Sequence, residues 1–276
     1  MKSMDKVLNN IVTGNCLEVM AQMPDSCIDM CITSPPYDNL RVYKGYKFPF
    51  DDIAKELYRV IKEGGVLVWV VCDATVNGTE TGTSFKQALK FMEVGFNLHD
   101  TMIFKKANPI PQIYRKRYTN EFEYMFVFSK GVVKTHNPIK VPCLHAGLEL
   151  KGTTYKNFSV DTQKRGKMAN PVKQEKIRGN IWEYVVGKLA VDQEAKGHPA
   201  PFPYALAKEH IISWTNEGDI VLDPMCGSGT SVVAASDLGR NFIGIDISEE
   251  YCQIARDRLK KHQQEQGTLF KEKEEE

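Results

Sequence analysis

Two runs carry residue types and spacing that can do chemistry: Thr33-Ser34-Pro35-Pro36-Tyr37, and much later Asp223-Pro224-Met225-Cys226-Gly227-Ser228-Gly229-Thr230. In the first, Pro-Pro removes two backbone donors and fixes two φ angles, so the run can neither continue a strand nor enter a helix. It makes a rigid lip with outward-facing carbonyls, a hydroxyl acceptor at Ser34 and a flat ring at Tyr37. Such a lip suits the grip of a planar, amino-bearing ring. In the second run, Gly227 and Gly229 allow positive φ and close backbone approach. Thr230 then opens a helix whose free N–H groups suit a carboxylate. Asp246 ends the next apolar segment, where an acid can accept two ribose hydroxyls. The Gly-x-Gly spacing is shorter than the dinucleotide pattern, which counts against a nicotinamide cofactor. Taken alone, each run also fits an ordinary tight turn.

Taken together, the runs resemble the exocyclic-amino DNA methyltransferases, which modify cytosine N4 or adenine N6. In that family Ser-Pro-Pro-Tyr is the catalytic motif and a Gly-rich turn binds S-adenosylmethionine. The catalytic motif comes first here, an order similar to the family's β group, and the resemblance spans about residues 10 to 260. It implies catalytic roles for Ser34, Pro35, Pro36 and Tyr37. It implies cofactor contacts from Thr33, Asp223, Pro224, Cys226, Gly227, Ser228, Gly229, Thr230 and Asp246. Lys196-Gly197-His198-Pro199-Ala200-Pro201-Phe202-Pro203 resembles the segment lying against the methionine part of the cofactor. Phe202 would pack there, and His198 would bond the ligand or cap the helix that follows. Gly14-Asn15 resembles a Gly-Asp segment whose acid accepts from the adenine amine; the amide oxygen of Asn15 can accept the same bond.

The chemistry follows from the amine. Its lone pair is delocalised into the ring, so two acceptors holding both N–H bonds are needed to pyramidalise it. Ser34 Oγ and the Pro35 carbonyl fill those roles, with Tyr37 stacked on the base. Positioning supplies much of the rate, no covalent intermediate is required, and a duplex base must flip to enter. Serine before Pro-Pro-Tyr favours cytosine N4 in this family, whereas Asp or Asn favours adenine N6. The rival readings are adenine N6 methylation, an RNA or protein amino-group methyltransferase, and a catalytically dead DNA-binding relative.

Elements must bring these runs together. Seven strands are expected near Asn10–Thr13, Ile28–Thr33, Val66–Cys72, Asn97–Lys105, Tyr124–Ser129, Asp219–Asp223 and Asn241–Asp246. Helices are expected at Cys16–Gln22, Asp51–Ile61, Ser84–Val94, Tyr204–Trp214, Ser231–Leu238 and Glu249–His262. The alternation predicts an α/β fold, a Rossmann-like, mostly parallel seven-stranded sheet with an antiparallel edge and helices on both faces. Each reactive run then sits at a strand's carboxyl end, where such sheets bind ligands. The expected division is 1–131 and 198–262 as the catalytic and cofactor halves, 132–197 as an inserted target-recognition region, and 263–276 as a charged flexible tail.

Charge singles out the insertion. The chain is +1 overall, but residues 132–197 hold twelve Lys/Arg against six acids, leaving about +6 there and about −5 elsewhere. Lys164, Arg165 and Lys167 within it, and Lys105, Lys106, Arg115, Lys116 and Arg117 before it, are candidate contacts to double-stranded DNA. A solvated basic face is the alternative. Phe122 or Tyr118 would wall the base pocket; core packing explains Phe122 equally well. Seven cysteines without Cys-x-x-Cys spacing read as reduced thiols, and no metal site is expected. No apolar run suits a membrane span or signal peptide, so a cytoplasmic, nucleoid-associated location is expected. A homodimer is left open. Gln266-Gly267-Thr268-Leu269-Phe270 resembles peptides that dock on sliding clamps, or else closes the last helix with an apolar pair.

Overall fold

The strands are short runs of β-branched, aromatic and methionine side chains, and glycine or asparagine punctuates them. The computed structural model describes residues 2–36, 48–111, 116–147, 154–156, 165–167, 173–187 and 203–274. In chain order they form β1 (Asn10–Thr13), α1 (Cys16–Ala21), β2 (Ile28–Thr33), α2 (Phe50–Val60), β3 (Ile61–Val71), β4 (Thr75–Val76), β5 (Thr79–Glu80), α3 (Thr83–Val94), β6 (Asn97–Lys106) and β7 (Phe122–Ser129). There follow β8 (Lys140–Pro142), β9 (Thr154–Lys156), β10 (Arg165–Lys167), β11 (Glu175–Ile177), β12 (Ile181–Tyr184), α4 (Tyr204–Trp214), β13 (Ile220–Asp223), α5 (Thr230–Asp237), β14 (Asn241–Asp246) and α6 (Glu249–Glu274).

Among the described residues the main sheet has eight strands, in the order β1-β14-β13-β2-β3-β7-β6-β12. β7 runs antiparallel to both neighbours, with Trp69 opposite Phe126 and Ile103 opposite Tyr124; the other pairings are parallel. The sheet therefore has one strand more than the sequence predicts. β12 lies parallel to β6, Trp182 opposite Phe104, and becomes the edge in place of the antiparallel pair.

Side-chain alternation along β3 shows how both faces are covered. Leu67, Trp69 and Val71 join a core with Ile53, Leu57 and Phe91 of α2 and α3. Val66, Val68 and Val70 are equally buried and point the other way, and α4 packs on β2 and β3. Trp69 meets Phe91 edge-on at 4.9 Å and donates its indole N–H to Gln87 at 2.8 Å. Full burial of each such ring is worth roughly 1.5–3 kcal/mol. Double coverage of this kind is what continuous apolar strands require.

Residues 1–137 and 180–276 form one compact unit, and Pro138–Gly179 form a second. Within the second, β8 pairs antiparallel with β11 and β9 with β10. The compact unit is narrower than the 132–197 expected for the insertion, because β12 belongs to the main sheet. α6 also departs from expectation: it continues through the residues read as a flexible tail, to Glu274. That stretch is rich in Gln, Glu and Lys, good helix formers, and Lys261 pairs with Glu265 one turn on at 3.7 Å. The Gln266–Phe270 run falls on this helix. Among the described residues, no helix is long and apolar enough to cross a membrane.

Candidate active site

β2 and β13 are neighbours in the sheet, with Met30 opposite Val221 and Cys31 opposite Leu222. After β2 the chain proceeds to β3 on one side; after β13 it proceeds to β14 on the other. The strand order reverses between them, and the crevice at their carboxyl ends is where such sheets take ligands. The lip leaves the end of β2 and the glycine turn leaves the end of β13, so both reactive runs open onto this switch point.

A buried hydrogen bond joins them. Thr33 Oγ1 donates to Asp223 Oδ1 at 2.7 Å. The same carboxylate accepts from the Met225 backbone N–H at 3.1 Å and from the Ser231 hydroxyl on α5. Thr33 and Asp223 are both buried. Burial pushes the Asp223 carboxyl up to about 6, against the opposing pull of the Ser231, Thr33 and Met225 bonds. Beyond Thr33, Pro35 is buried and Ser34 and Pro36 are half-buried at the surface of the crevice.

Pro224, Cys226, Gly227, Ser228, Gly229 and Thr230 form the buried turn into α5. Gly227 has φ +50 and Gly229 φ +78. A Cβ on Gly229 would lie 2.7 Å from the Ala255 Cβ on α6, so this backbone approach needs glycine twice over. Asp246 stands at the end of β14, and its Oδ2 accepts from the Gly227 N–H at 2.9 Å while Oδ1 accepts from Ser248 N–H at 2.9 Å. Burial raises its carboxyl above the ordinary range, and these backbone bonds partly offset the rise. Each oxygen keeps a lone pair for a further donor. Asn15 caps α1, accepting from Leu17 N–H at 3.0 Å, which leaves its oxygen one lone pair of two. The close-fitting glycine turn, its helix N-terminus and the paired acid fit a methyl donor with a carboxylate at one end and a ribose in the middle.

Sequence reasoning missed Arg258. It is buried on α6, and its Nη1 donates to the Ser228 carbonyl at 2.5 Å and to Thr230 Oγ1 at 3.4 Å. The signal was present: Cys252, Ala255 and Arg258 share one buried face of α6, and a long cation there needs carbonyls to serve. Ser231, the second hydroxyl on Asp223, was read only as the start of a helix.

The candidate DNA contacts separate into groups. Lys105 pairs with Glu183 at 2.7 Å and Lys106 with Glu123 at 2.9 Å, so each charge is met on the sheet itself. Arg117 bonds Glu80 at 3.1 Å and the Gly78 carbonyl. It thereby holds the β4–β5 hairpin, whose Asn77-Gly78 turn has φ +50 and +80. Lys116 is exposed. Arg165 and Lys167 lie on β10 in the second unit, opposite Lys156 and Thr154. Tyr37, Arg115, Lys164, His198 and Phe202 lie outside the described residues. Tyr118 is fully exposed, and Phe122 is partly exposed with its ring 5.4 Å from Tyr124. Cys31 and Cys226 are buried, and burial pushes both thiols well up, so neither is a nucleophile at neutral pH.

Known proteins resemble this chain in sequence and in fold. The family model described as DNA methylase matches residues 28–257. The orphan methyltransferase M.BamHII of Bacillus amyloliquefaciens is 50% identical over 244 residues, covering 86% of this chain and 91% of its own. The Type II methyltransferase M.HinfI of Haemophilus influenzae is 27% identical over 290 residues, covering 94% of this chain and 70% of its own. Among solved structures, the PvuII DNA methyltransferase (cytosine-N4-specific) superposes with a TM-score of 0.68 at 20% identity, over 90% of this chain and 85% of that one. The M1.HpyAVI–SAM complex does so with a TM-score of 0.60 at 25% identity, over 91% and 99%. A family match over most of the chain, on a sheet whose switch point joins the proline lip to the glycine turn, has one reading: the chain belongs to the DNA methylase family of exocyclic-amino (N6/N4) DNA methyltransferases.

Proposed function

We propose that this protein transfers a methyl group from S-adenosylmethionine to the N4 amine of a cytosine flipped out of duplex DNA. The observation that carries the reading is the buried Thr33–Asp223 bond, 2.7 Å long, which locks the acceptor lip against the glycine turn at the switch point. When bound, the cofactor supplies an electrophilic methyl on a sulfonium. The chain's own residues do the rest. The turn from Gly227 to Thr230 would hold the methionine end and Asp246 the ribose. Ser34 Oγ and the Pro35 carbonyl would accept the two N–H bonds of the target amine, directing its lone pair toward the donor. The rigidity of Pro35-Pro36 keeps those acceptors in place before the base arrives, so little reorganisation is needed at the reacting centre.

Ser34 supports cytosine over adenine. It offers a neutral acceptor, in the position where adenine-modifying relatives of this type carry Asp or Asn. Nucleoside mass spectrometry of plasmid from an expressing, methylation-free host tests the choice. N4-methylcytosine is expected; N6-methyladenine in its place would reject the serine argument while leaving the amine chemistry intact. Ser34→Ala should lower kcat by about 10²-fold or more, with cofactor affinity unchanged by equilibrium titration.

A further inference from the structure

The connection from β6 to β7, residues 107–121, leaves and re-enters the sheet on the same edge as the proline lip. Thr33, the last residue of β2, lies opposite Trp69 on β3, and Val71, the last residue of β3, lies opposite Tyr124 near the start of β7. The start of β7 is therefore two strands from the strand that carries the lip, about 10 Å. The connection is tied at both ends. At its start, Asn108 donates to the Val186 carbonyl at 2.9 Å and accepts from the Val186 N–H at 2.7 Å. At its end, the Glu121 carbonyl accepts from the Lys106 N–H at 2.7 Å, and Asn120 donates to Cys72 Sγ, just past β3, at 3.3 Å.

Arg117 adds a longer tie. Its Nη1 donates to Glu80 Oε1 at 3.1 Å and its Nη2 to the Gly78 carbonyl, both on the β4–β5 hairpin. The hairpin is itself anchored at its root. Asp73, two residues past β3, accepts from the Ser84 N–H at 2.9 Å, from the Ser84 hydroxyl at 2.5 Å and from the Thr81 hydroxyl at 3.3 Å. The Thr81 N–H also donates to the Ala74 carbonyl at 3.0 Å. A planar guanidinium fork serves a carboxylate and a carbonyl at once, which a single ammonium cannot. A cation committed to two acceptors on one hairpin holds a position. Given that the lip grips a flipped base, the reading on which this rests, we infer that Arg117 is a positioning residue: it couples residues 116–121 to the hairpin, and through Asp73 to the end of β3, so that the stretch entering β7 is set beside the lip before the base arrives. That task differs from the phosphate contact its charge suggests.

Three measurements on the full chain test this. Hydrogen exchange read by mass spectrometry should show residues 75–80 and 116–121 exchanging about fivefold or more faster, together, in Arg117→Ala, with β2 and β13 unchanged. Labelled methyl transfer to plasmid DNA should lose about tenfold or more in kcat, with cofactor affinity unchanged by calorimetric titration. Arg117→Lys should lose nearly as much, because it keeps the charge and gives up the fork. The reversed pair, Glu80→Arg with Arg117→Glu, should recover most of what Arg117→Glu alone loses. The third measurement is the slope of log K against log salt concentration for DNA, which Arg117→Ala should leave within about 0.5 of wild type. A phosphate contact inverts the pattern: Arg117→Ala flattens that slope by about 0.9, Arg117→Lys behaves as wild type, and the reversed pair stays as poor as Arg117→Glu. Any one of those outcomes, or faster exchange confined to one of the two segments, overturns the inference. A wild type that transfers no methyl to DNA would instead overturn the proposed reaction, and hydrogen exchange would still decide whether Arg117 couples the two segments.

Discussion

Asp223 is a carboxylate in an expensive place. Its two oxygens accept from Thr33, Ser231 and the Met225 backbone, which favours the charged form, yet burial outweighs them and lifts the carboxyl from an ordinary 3.8 to about 6. Between those two pH values the folded chain keeps a proton that the unfolded chain has released. Stability from this group is therefore present below the lower value and is lost as pH rises through the upper one. The difference amounts to roughly 3 kcal/mol. Asp223→Asn keeps the shape and an acceptor for Thr33 but cannot titrate. Urea unfolding of both proteins from pH 4 to 7 should show the variant gaining on wild type as pH rises; a flat difference would mean that Asp223 is not the buried acid the geometry makes it. Thr33→Val removes the donor and leaves an acceptor underserved, a loss of about 1–3 kcal/mol. If the bond positions the lip, kcat should fall as well, and Thr33→Ser should recover it.

At the scale of elements, α6 is the wall behind the glycine turn of residues 227–230. Gly229 approaches it so closely that an added methyl meets Ala255 at 2.7 Å, and its φ of +78 is strained for any other residue. Gly229→Ala should therefore weaken cofactor binding by at least about tenfold and cost about 2 kcal/mol of stability. Adding Ala255→Gly should relieve the overlap but leave the left-handed strain of about 1–2 kcal/mol, as calorimetric titration and thermal unfolding would show. The elements that end at the candidate site were legible because each apolar run closes on a residue poorly suited to prolong it: Pro35 shortly after β2, Pro224 after β13, Asp246 as the last residue of β14. β12 was not, since Ile181-Trp182-Glu183-Tyr184 is only four residues inside a polar stretch, with alternating exposure that only the sheet edge makes sense of. The spacing of Cys252, Ala255 and Arg258 puts Arg258 on the buried face of α6, but it does not say what the guanidinium meets. Its partners are carbonyls and hydroxyls about thirty residues away, and no local pattern announces them.

At the scale of the whole molecule, charge must be separated from charge that is free to act. The sequence concentrates about +6 in residues 132–197, and it also places basic residues at 105–106. Lys105 and Lys106 face Glu183 and Glu123 across the sheet; releasing either for a phosphate would strand an acid. Lys164, Arg165 and Lys167 belong to the segment whose excess of positive charge has no such match in number. Each phosphate neutralised contributes about −0.9 to the slope of log K against log salt concentration. Replacing Lys164, Arg165 and Lys167 with alanine should therefore flatten that slope by about 2 to 3 for a duplex carrying the methylation site. Changing Lys105 and Lys106 to alanine should leave it within about 0.5 of wild type. Fluorescence anisotropy at several salt concentrations measures both, with cofactor affinity as the control for folding. If the two sets exchange these effects, the ion pairs on β6 open on binding and that strand, rather than the insertion, carries the DNA backbone.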